Sequence, residues 1–495
     1  MPPAVAATAC VAFILGLFWL DREPKVRTSA ALWISVIWFW IACSRSLAQW
    51  LGLGPSANSA DAYTDGSPVD RVVFTCLLVA GLVVLVRRRR VVRKILVANG
   101  PILLFFCYCL VSVIWSDYPG VAVKRWIKAI TNLVVILIIW SDRESLGALR
   151  KLLPRLAFIL IPVSILFYKY YPNLGRGYGE WDGQLMITGV TLNKNTLGAV
   201  CMCLGIGLLW LILMTYNQKR TKGRKKALGA QFIVLAMVVW LLWITNSMTA
   251  LSCFLMAAIL LIVTHSGVII RRPRLVHVVI VSMLLVSVSI GLLGVSPETL
   301  QSMGRNPTLT DRTLVWKSIV TLVPNGLVGT GFESFWLGPR LTSMWEKFRW
   351  LPNEAHNGYL EIYANLGWLG IVLLALVLVT GYRAAFRSWR NRVPSGSLCL
   401  AYILVGLTYN LTEAAFFRLC HPVWLFVLFG IVNVRTRRHD ATLLPERRSV
   451  EESSVRTVGE LEPVLHGIES GFSGSHDTVG PVPLLVRTQR PPFDN

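Results

Sequence analysis

Between Asn353 and Gly370 the chain reads NEAHNGYLEIYANLGWLG, which sets Glu354, His356 and Asn357 directly before an apolar helical stretch. A histidine in that position can take or give a proton near neutral pH. The amides of the first helical turn, with the dipole behind them, favour negative charge close by. The combination suits chemistry on a phosphorylated lipid, although a polar helix cap with interfacial Tyr and Trp accounts for the same residues. Two cations occupy comparable places. Lys194, between Asn193 and Asn195 in GVTLNKNTLGAV, opens another apolar helix, and Arg312 lies in the amphipathic NPTLTDRTLVWKSIV. A diphosphate is held by several charge-assisted donors, which both cations could supply.

The elements that must position these residues belong to a membrane. With 54% hydrophobic and only 15% charged residues, the chain is far more apolar than a soluble domain, in which about a quarter of residues are charged. A spanning helix takes about 20 apolar residues. That measure predicts an all-α polytopic bundle of about 12 to 13 spans: 4–20, 29–49, 71–86, 95–115, 123–140, 156–171, 196–216, 228–246, 249–265, 277–295, 362–381, 398–416 and 421–434. The net charge of +23 sits in short clusters between these runs, where it sets topology, and nucleic acid is not an expected partner. Ten scattered cysteines form neither a zinc spacing nor a disulfide framework and read as packing residues.

Basic clusters fall on every second loop (Arg87–Arg90, Arg143–Arg155, Lys219–Lys226, Arg271–Arg274, Arg383–Arg392 and Arg435–Arg438), which the positive-inside rule assigns to the cytoplasm. The long segment 296–361, carrying Arg312 and His356, then faces outward. The expected organisation is N-terminal membrane helices over 1–295, an extracytoplasmic catalytic loop over 296–361, C-terminal membrane helices over 362–438 and a disordered cytoplasmic tail over 439–495. Cations on outward loops run against the charge bias: Arg125, Arg176, Lys194, Arg305, Arg312, Arg340, Lys347, Arg349 and Arg418 among them. Anionic headgroups of the outer leaflet account for exposed ones such as Lys347 and Arg349. With no DxD pair and no closely spaced histidines, neither a metal nor a cofactor is expected.

Five segments in order, WSDYP (Trp115–Pro119) with Lys124 and Arg125, LNKNTLG (Leu192–Gly198), LTDRTLVW (Leu309–Trp316), GTGFESFW (Gly329–Trp336) and EAHNGYLEIYANLGWLG (Glu354–Gly370), resemble the O-antigen ligase and polymerase superfamily, nearest its exopolysaccharide-polymerase-like branch. The resemblance covers roughly residues 110–385. It implies a GT-C-like, metal-independent membrane glycosyltransferase at the periplasmic face of a bacterial inner membrane. Such an enzyme moves a glycan from undecaprenyl diphosphate to a hydroxyl acceptor, which is another glycan in a polymerase and lipid A core or a protein in a ligase. Chain-length regulators or export proteins are further partners that it implies. By motif match His356 activates the acceptor and Arg312 neutralises the leaving diphosphate. Lys194 and Asn195 hold phosphate or sugar, with Arg125, Arg176 and Asn357 as further contacts. Glu333 and Glu354 remain alternative bases, and Glu361 is expected to make a structural hydrogen bond.

The chain departs from the family pattern at two points. Asp311 stands where many members have glycine before the loop arginine, and Met248 in Ser247–Thr249 replaces a basic residue. A flippase that binds lipid-linked glycans without making bonds is the alternative of another class. Concentration of polar residues in one long loop, without repeated halves, favours catalysis.

Overall fold

The computed structural model describes residues 1–22, 28–53, 67–178, 183–217, 222–293 and 309–432. The expected tail, the cluster Arg435–Arg438, Lys219, Arg305 and the side chain of Asp311 lie outside the described residues.

The described chain is nearly all helix. Its longer helices are α1 (Pro3–Leu20), α2 (Leu32–Ala42), α3 (Pro68–Arg87), α4 (Arg89–Ala98), α5 (Gly100–Val111), α6 (Pro119–Trp140), α7 (Ser145–Tyr170), α8 (Lys194–Tyr216), α9 (Lys222–Ile244), α10 (Met248–Thr264), α11 (Leu275–Leu293), α12 (Leu309–Leu322), α13 (Gly338–Lys347), α14 (Gly358–Arg390), α15 (Gly396–Tyr409) and α16 (Pro422–Ile431). One small antiparallel ribbon, β1 (Arg176–Tyr178) with β2 (Leu185–Ile187), pairs Arg176 with Ile187 just before α8. Six helices among the described residues are long and apolar enough to cross a membrane, and shorter apolar helices, the bent pair α4–α5 and the 22-residue α6 stand at the other expected spans. The chain is a multi-pass helical membrane protein.

Burial orders the bundle. In α8, 83% of the spanning window is buried inside the protein, against 11% in α1 and 17% in α3, so α8 is the central post and the other two form the periphery. Large apolar side chains such as Trp19, Val97 and Trp243 are exposed, as expected where the solvent is hydrocarbon.

Two expected spans take a different form. Residues 95–115 divide at Asn99 into α4 and α5, which meet at 87°. Pro101 lacks an N–H and disfavours helix at the residue before it, while Arg89, Arg90, Arg93 and Lys94 oppose entry of α4 into an apolar layer. The span expected at 398–416 stops at Tyr409, because buried Asn410 turns the chain. Its Nδ2 donates back to the Gly406 carbonyl at 2.8 Å, and its Oδ1 accepts the Ala415 and Phe416 amides at 2.8 and 3.0 Å.

A second, smaller core lies beside the start of α14. Val315 and Ile319 of α12, Leu341 and Met344 of α13, and Phe335, Trp336 and Phe348 pack around Ala355 and Ala364. The first part of α14 is thereby anchored to the segment that carries Arg312. At Gly367, with φ 64° and ψ −164°, α14 breaks. Segment 326–331 occupies the break: Trp368 and Leu369 donate to the Gly326 and Leu327 carbonyls, and Thr330 and Gly331 donate to the Ala364 and Asn365 carbonyls. Asn365 Oδ1 also accepts the Ser334 and Phe335 amides at 2.9 and 3.1 Å.

A side chain at position 367 would adopt a left-handed conformation and drive its Cβ into the Leu327 backbone. Gly367→Ala is therefore expected to cost roughly 1–3 kcal/mol and to lower the unfolding temperature in detergent. Gly16→Ala, whose Cβ meets open space inside a helix, should be neutral or stabilising by up to about 1 kcal/mol. Equal melting of the two variants would refute this account of the break.

Candidate active site

The residues flanking α14 form a polar cluster around a carboxylate that is distant in sequence. Asn357 caps α14, its Oδ1 accepting the Tyr359 and Leu360 amides at 3.0 Å each. Its Nδ2 donates to the Leu411 carbonyl at 3.3 Å. The Gly358 amide donates to the Asn410 and Glu413 carbonyls at 2.9 and 3.0 Å. A Cβ at Gly358 would strike the Asn410 side chain, so glycine allows the 410–413 turn to close on the helix start.

This closure brings Glu413 to His356. The imidazole Nδ1 lies 3.1 Å from Glu413 Oε2 and 3.4 Å from Glu354 Oε1. A carboxylate accepts, so Nδ1 carries the proton and Nε2 is left as the basic nitrogen. Nε2 has no hydrogen-bond partner among the described residues. The ring centroid stands 5.6 Å from that of Trp350, which walls one side. His356 itself has a φ of 48°, a left-handed conformation that costs a non-glycine residue roughly 1–2 kcal/mol.

The same carboxylate meets Arg312. Glu413 Oε1 is 3.6 Å from one guanidinium nitrogen, while the other donates to the Thr412 carbonyl at 2.7 Å. Asn195, in the first turn of α8, donates to Glu413 Oε1 at 3.4 Å. Thr249 at the start of α10 exchanges a hydrogen bond with Thr412 at 3.0 Å, so the Ser247–Thr249 segment reaches the cluster although Met248 brings no charge. Arg418 closes the far side as the ion-pair partner of Glu354.

Backbone bonds fix the register between Arg312 and His356. The Ala355 amide donates to Glu361 Oε2 at 2.9 Å, and the Ala355 carbonyl accepts from Trp316 Nε1 at 2.8 Å. Trp336 Nε1 donates to the other Glu361 oxygen at 2.7 Å. Glu361 therefore makes the structural hydrogen bonds expected of it, and Trp316 sits one turn beyond Arg312 on the same helix.

The remaining candidates divide. Lys194 opens α8 next to Asn195 and makes no hydrogen bond or ion pair with the described residues. Arg125 pairs with Glu333, bonding its carbonyl and standing 3.7 Å from its carboxylate, with no bond linking that pair to Glu413. Arg176 bonds the Tyr168 carbonyl at 2.9 Å and lies over the Tyr168 ring, which occupies it locally. Glu413 was not among the sequence candidates. It fell inside the expected span 398–416, and an ionisable residue in a predicted membrane span was the signal that could have found it.

Glu354, His356 and Glu413 also meet the geometry of a metal-ion site, their ligand atoms lying within 4.8 Å of one another. The sequence reading found no such constellation, because its third member is 57 residues away from the histidine. Each carboxylate already faces a guanidinium, Glu413 that of Arg312 and Glu354 that of Arg418. The donor set is therefore better matched to holding an imidazole than a dication.

The chain is thus a multi-pass helical membrane protein with a histidine, two arginines and two carboxylates clustered at one end. The family model described as O-Antigen ligase matches residues 239–375, which include Arg312 and His356, and so meets the resemblance read from the ordered motifs. The chain is 24% identical over 361 residues to the "Exopolysaccharide production protein ExoQ" of Rhizobium meliloti (strain 1021), covering 69% of this chain and 78% of that protein. It is 21% identical over 342 residues to a Rickettsia bellii (strain RML369-C) protein with the provisional name of polysaccharide ligase, covering 67% and 79%. Members of this family are glycosyltransferase-like ligases and polymerases.

Asn410→Ala removes the acceptor that holds the Ala415 and Phe416 amides, each bond contributing about 1 kcal/mol. Hydrogen exchange followed by mass spectrometry should show peptides spanning 411–418 exchanging roughly fivefold faster, with α8 unchanged. Unaltered exchange would mean that something other than Asn410 shapes the turn.

Proposed function

We propose that the protein is a glycosyltransferase that polymerises undecaprenyl-diphosphate-linked repeat units at the outer face of the bacterial inner membrane, in exopolysaccharide biosynthesis. The single observation that carries this reading is the His356–Glu413–Arg312 arrangement, a base and a phosphate-seeking cation held by one carboxylate. The outward orientation rests on the basic loops at the opposite end of the helices.

In the reaction, His356 Nε2 accepts the proton of the acceptor hydroxyl as its oxygen bonds to the anomeric carbon of the donor glycan. The bond from that carbon to the diphosphate oxygen breaks, and undecaprenyl diphosphate departs with the electron pair. Glu413 holds the Nδ1 proton and stabilises the imidazolium that forms. Arg312 meets the charge gathering on the diphosphate, and Lys194 and Asn195, at the start of α8, offer an ammonium and an amide to phosphate or sugar. Asn357 acts through the backbone by fixing the helix start. Arg125 with Glu333, and Arg176, lie too far into their own pairings to be assigned a step. Glu354 is held by Arg418, which makes it an orienting partner of the imidazole rather than the base. The chemistry proceeds on side chains alone, without a metal.

ExoQ, named for exopolysaccharide production, favours polymerisation, whereas the ligase-named relative keeps transfer to lipid A core or protein as the second reading. Deleting the gene separates them: loss of long secreted polymer with intact lipopolysaccharide fits polymerisation, and uncapped core with accumulated lipid-linked polymer fits ligation. Purified protein given a lipid-linked repeat unit in EDTA should lengthen the glycan. His356→Ala should lose on the order of 10²–10⁴ in rate. Arg312→Ala should be comparably impaired, with partial recovery in Arg312→Lys. Full activity in both alanine variants would sink the mechanism, and activity that depends on added divalent metal would move Glu354, His356 and Glu413 from proton transfer to metal binding.

A further inference from the structure

At the other end of the bundle the termini of α1, α7, α8 and α9 enclose a cavity of roughly 330 Å³. Among the described residues its wall carries Arg22, Arg150, Lys151 and Arg155 and one carboxylate, Asp21. The catalytic cluster is remote: Asn195 and the cavity residue Thr215 lie 20 residues apart on α8, which separates them by about 30 Å. The cations therefore have no part in the chemistry around His356.

The cavity is built for more than loose counter-ions. Gln231 lines it and is only 3% exposed. Its Nε2 donates to Asp21 Oδ1 at 2.8 Å, which fixes the amide so that Oε1 is the free end. That oxygen is buried and has no hydrogen-bond partner among the described residues. A buried acceptor left unpaired keeps its desolvation penalty, which a hydroxyl donor on a ligand would remove. Arg155 is placed over the Trp33 ring at 4.3 Å, which limits its freedom. Phe18 and Leu211 add an apolar border.

We propose that this cavity binds the headgroup of an anionic glycerophospholipid from the leaflet on the side of the basic loops. The phosphodiester is met by the Arg and Lys side chains, and a headgroup hydroxyl, as in phosphatidylglycerol, donates to Gln231 Oε1. Phosphate oxygens need several charge-assisted donors, and a basic pocket between membrane helices supplies them. The hydroxyl requirement separates phosphatidylglycerol from phosphatidylcholine, which carries a compensating cation and no donor.

The test is native mass spectrometry of the full-length protein in detergent, titrated with phosphatidylglycerol, phosphatidylcholine or inorganic phosphate, with thermal unfolding measured in parallel. Wild type is expected to retain one phosphatidylglycerol and to melt at a higher temperature with it. Arg150→Gln/Lys151→Gln should bind it at least tenfold more weakly. Arg87→Gln/Arg89→Gln, cations on the same side but away from the cavity, should bind as wild type does. Gln231→Leu should keep phosphate-dependent binding and lose several-fold in preference for phosphatidylglycerol over phosphatidic acid, which lacks the headgroup hydroxyl. Equal retention by the Arg150/Lys151 variant, indifference between phosphatidylglycerol and phosphatidylcholine, or stabilisation by inorganic phosphate alone would each overturn the assignment. None of these readings depends on glycosyl transfer.

Discussion

Everything polar at the site end turns on one carboxylate. Glu413 receives the imidazole of His356 on one oxygen and the guanidinium of Arg312 with the Asn195 amide on the other. Three parts of the fold that are far apart in sequence thus share a single charge: the start of α8, the start of α12 and the residues before α14. A buried charge with several donors binds each of them more strongly than the same charge in water, because fewer solvent dipoles compete for it. It also demands more, since loss of any partner leaves an unmet group.

Placing that carboxylate takes bonds between polar side chains and the backbone. Asn410 ends α15, folds the turn and presents carbonyls to the Gly358 amide. Asn357 ties the turn to the α14 cap. Ala355, held on its amide by Glu361 and on its carbonyl by Trp316, sets the histidine against the arginine helix. The frame of the site is thus a set of bonds between side chains and peptide groups, on which the tips of His356 and Arg312 are set.

The sequence made the bundle legible through apolar runs of spanning length, and His356, Arg312 and Asn195 through their motifs at helix starts. It hid Glu413 because hydropathy averages over a window: the apolar residues around it absorbed both the acid and the turn at Asn410 into one span. The bend at Asn99 was missed for the same reason, Gly100–Pro101 being a short interruption in a long apolar stretch. Hydropathy reports residence in the membrane and says little about where the chain bends within it. The pairings of Arg125 and Arg176 were equally invisible, since their partners Glu333 and Tyr168 are set by tertiary contacts rather than spacing.

The break in α14 ties the site to the bilayer itself. Segment 326–331 is stitched to both arms of that helix, above and below Gly367. The lower arm is a membrane rod whose tilt follows the thickness of the surrounding hydrocarbon. A change in tilt cannot be taken up by the rod alone, because its first peptides are bonded into the loop. Hydrocarbon thickness thus becomes a mechanical input to the geometry around His356, and the bilayer acts as a clamp on the cluster it borders.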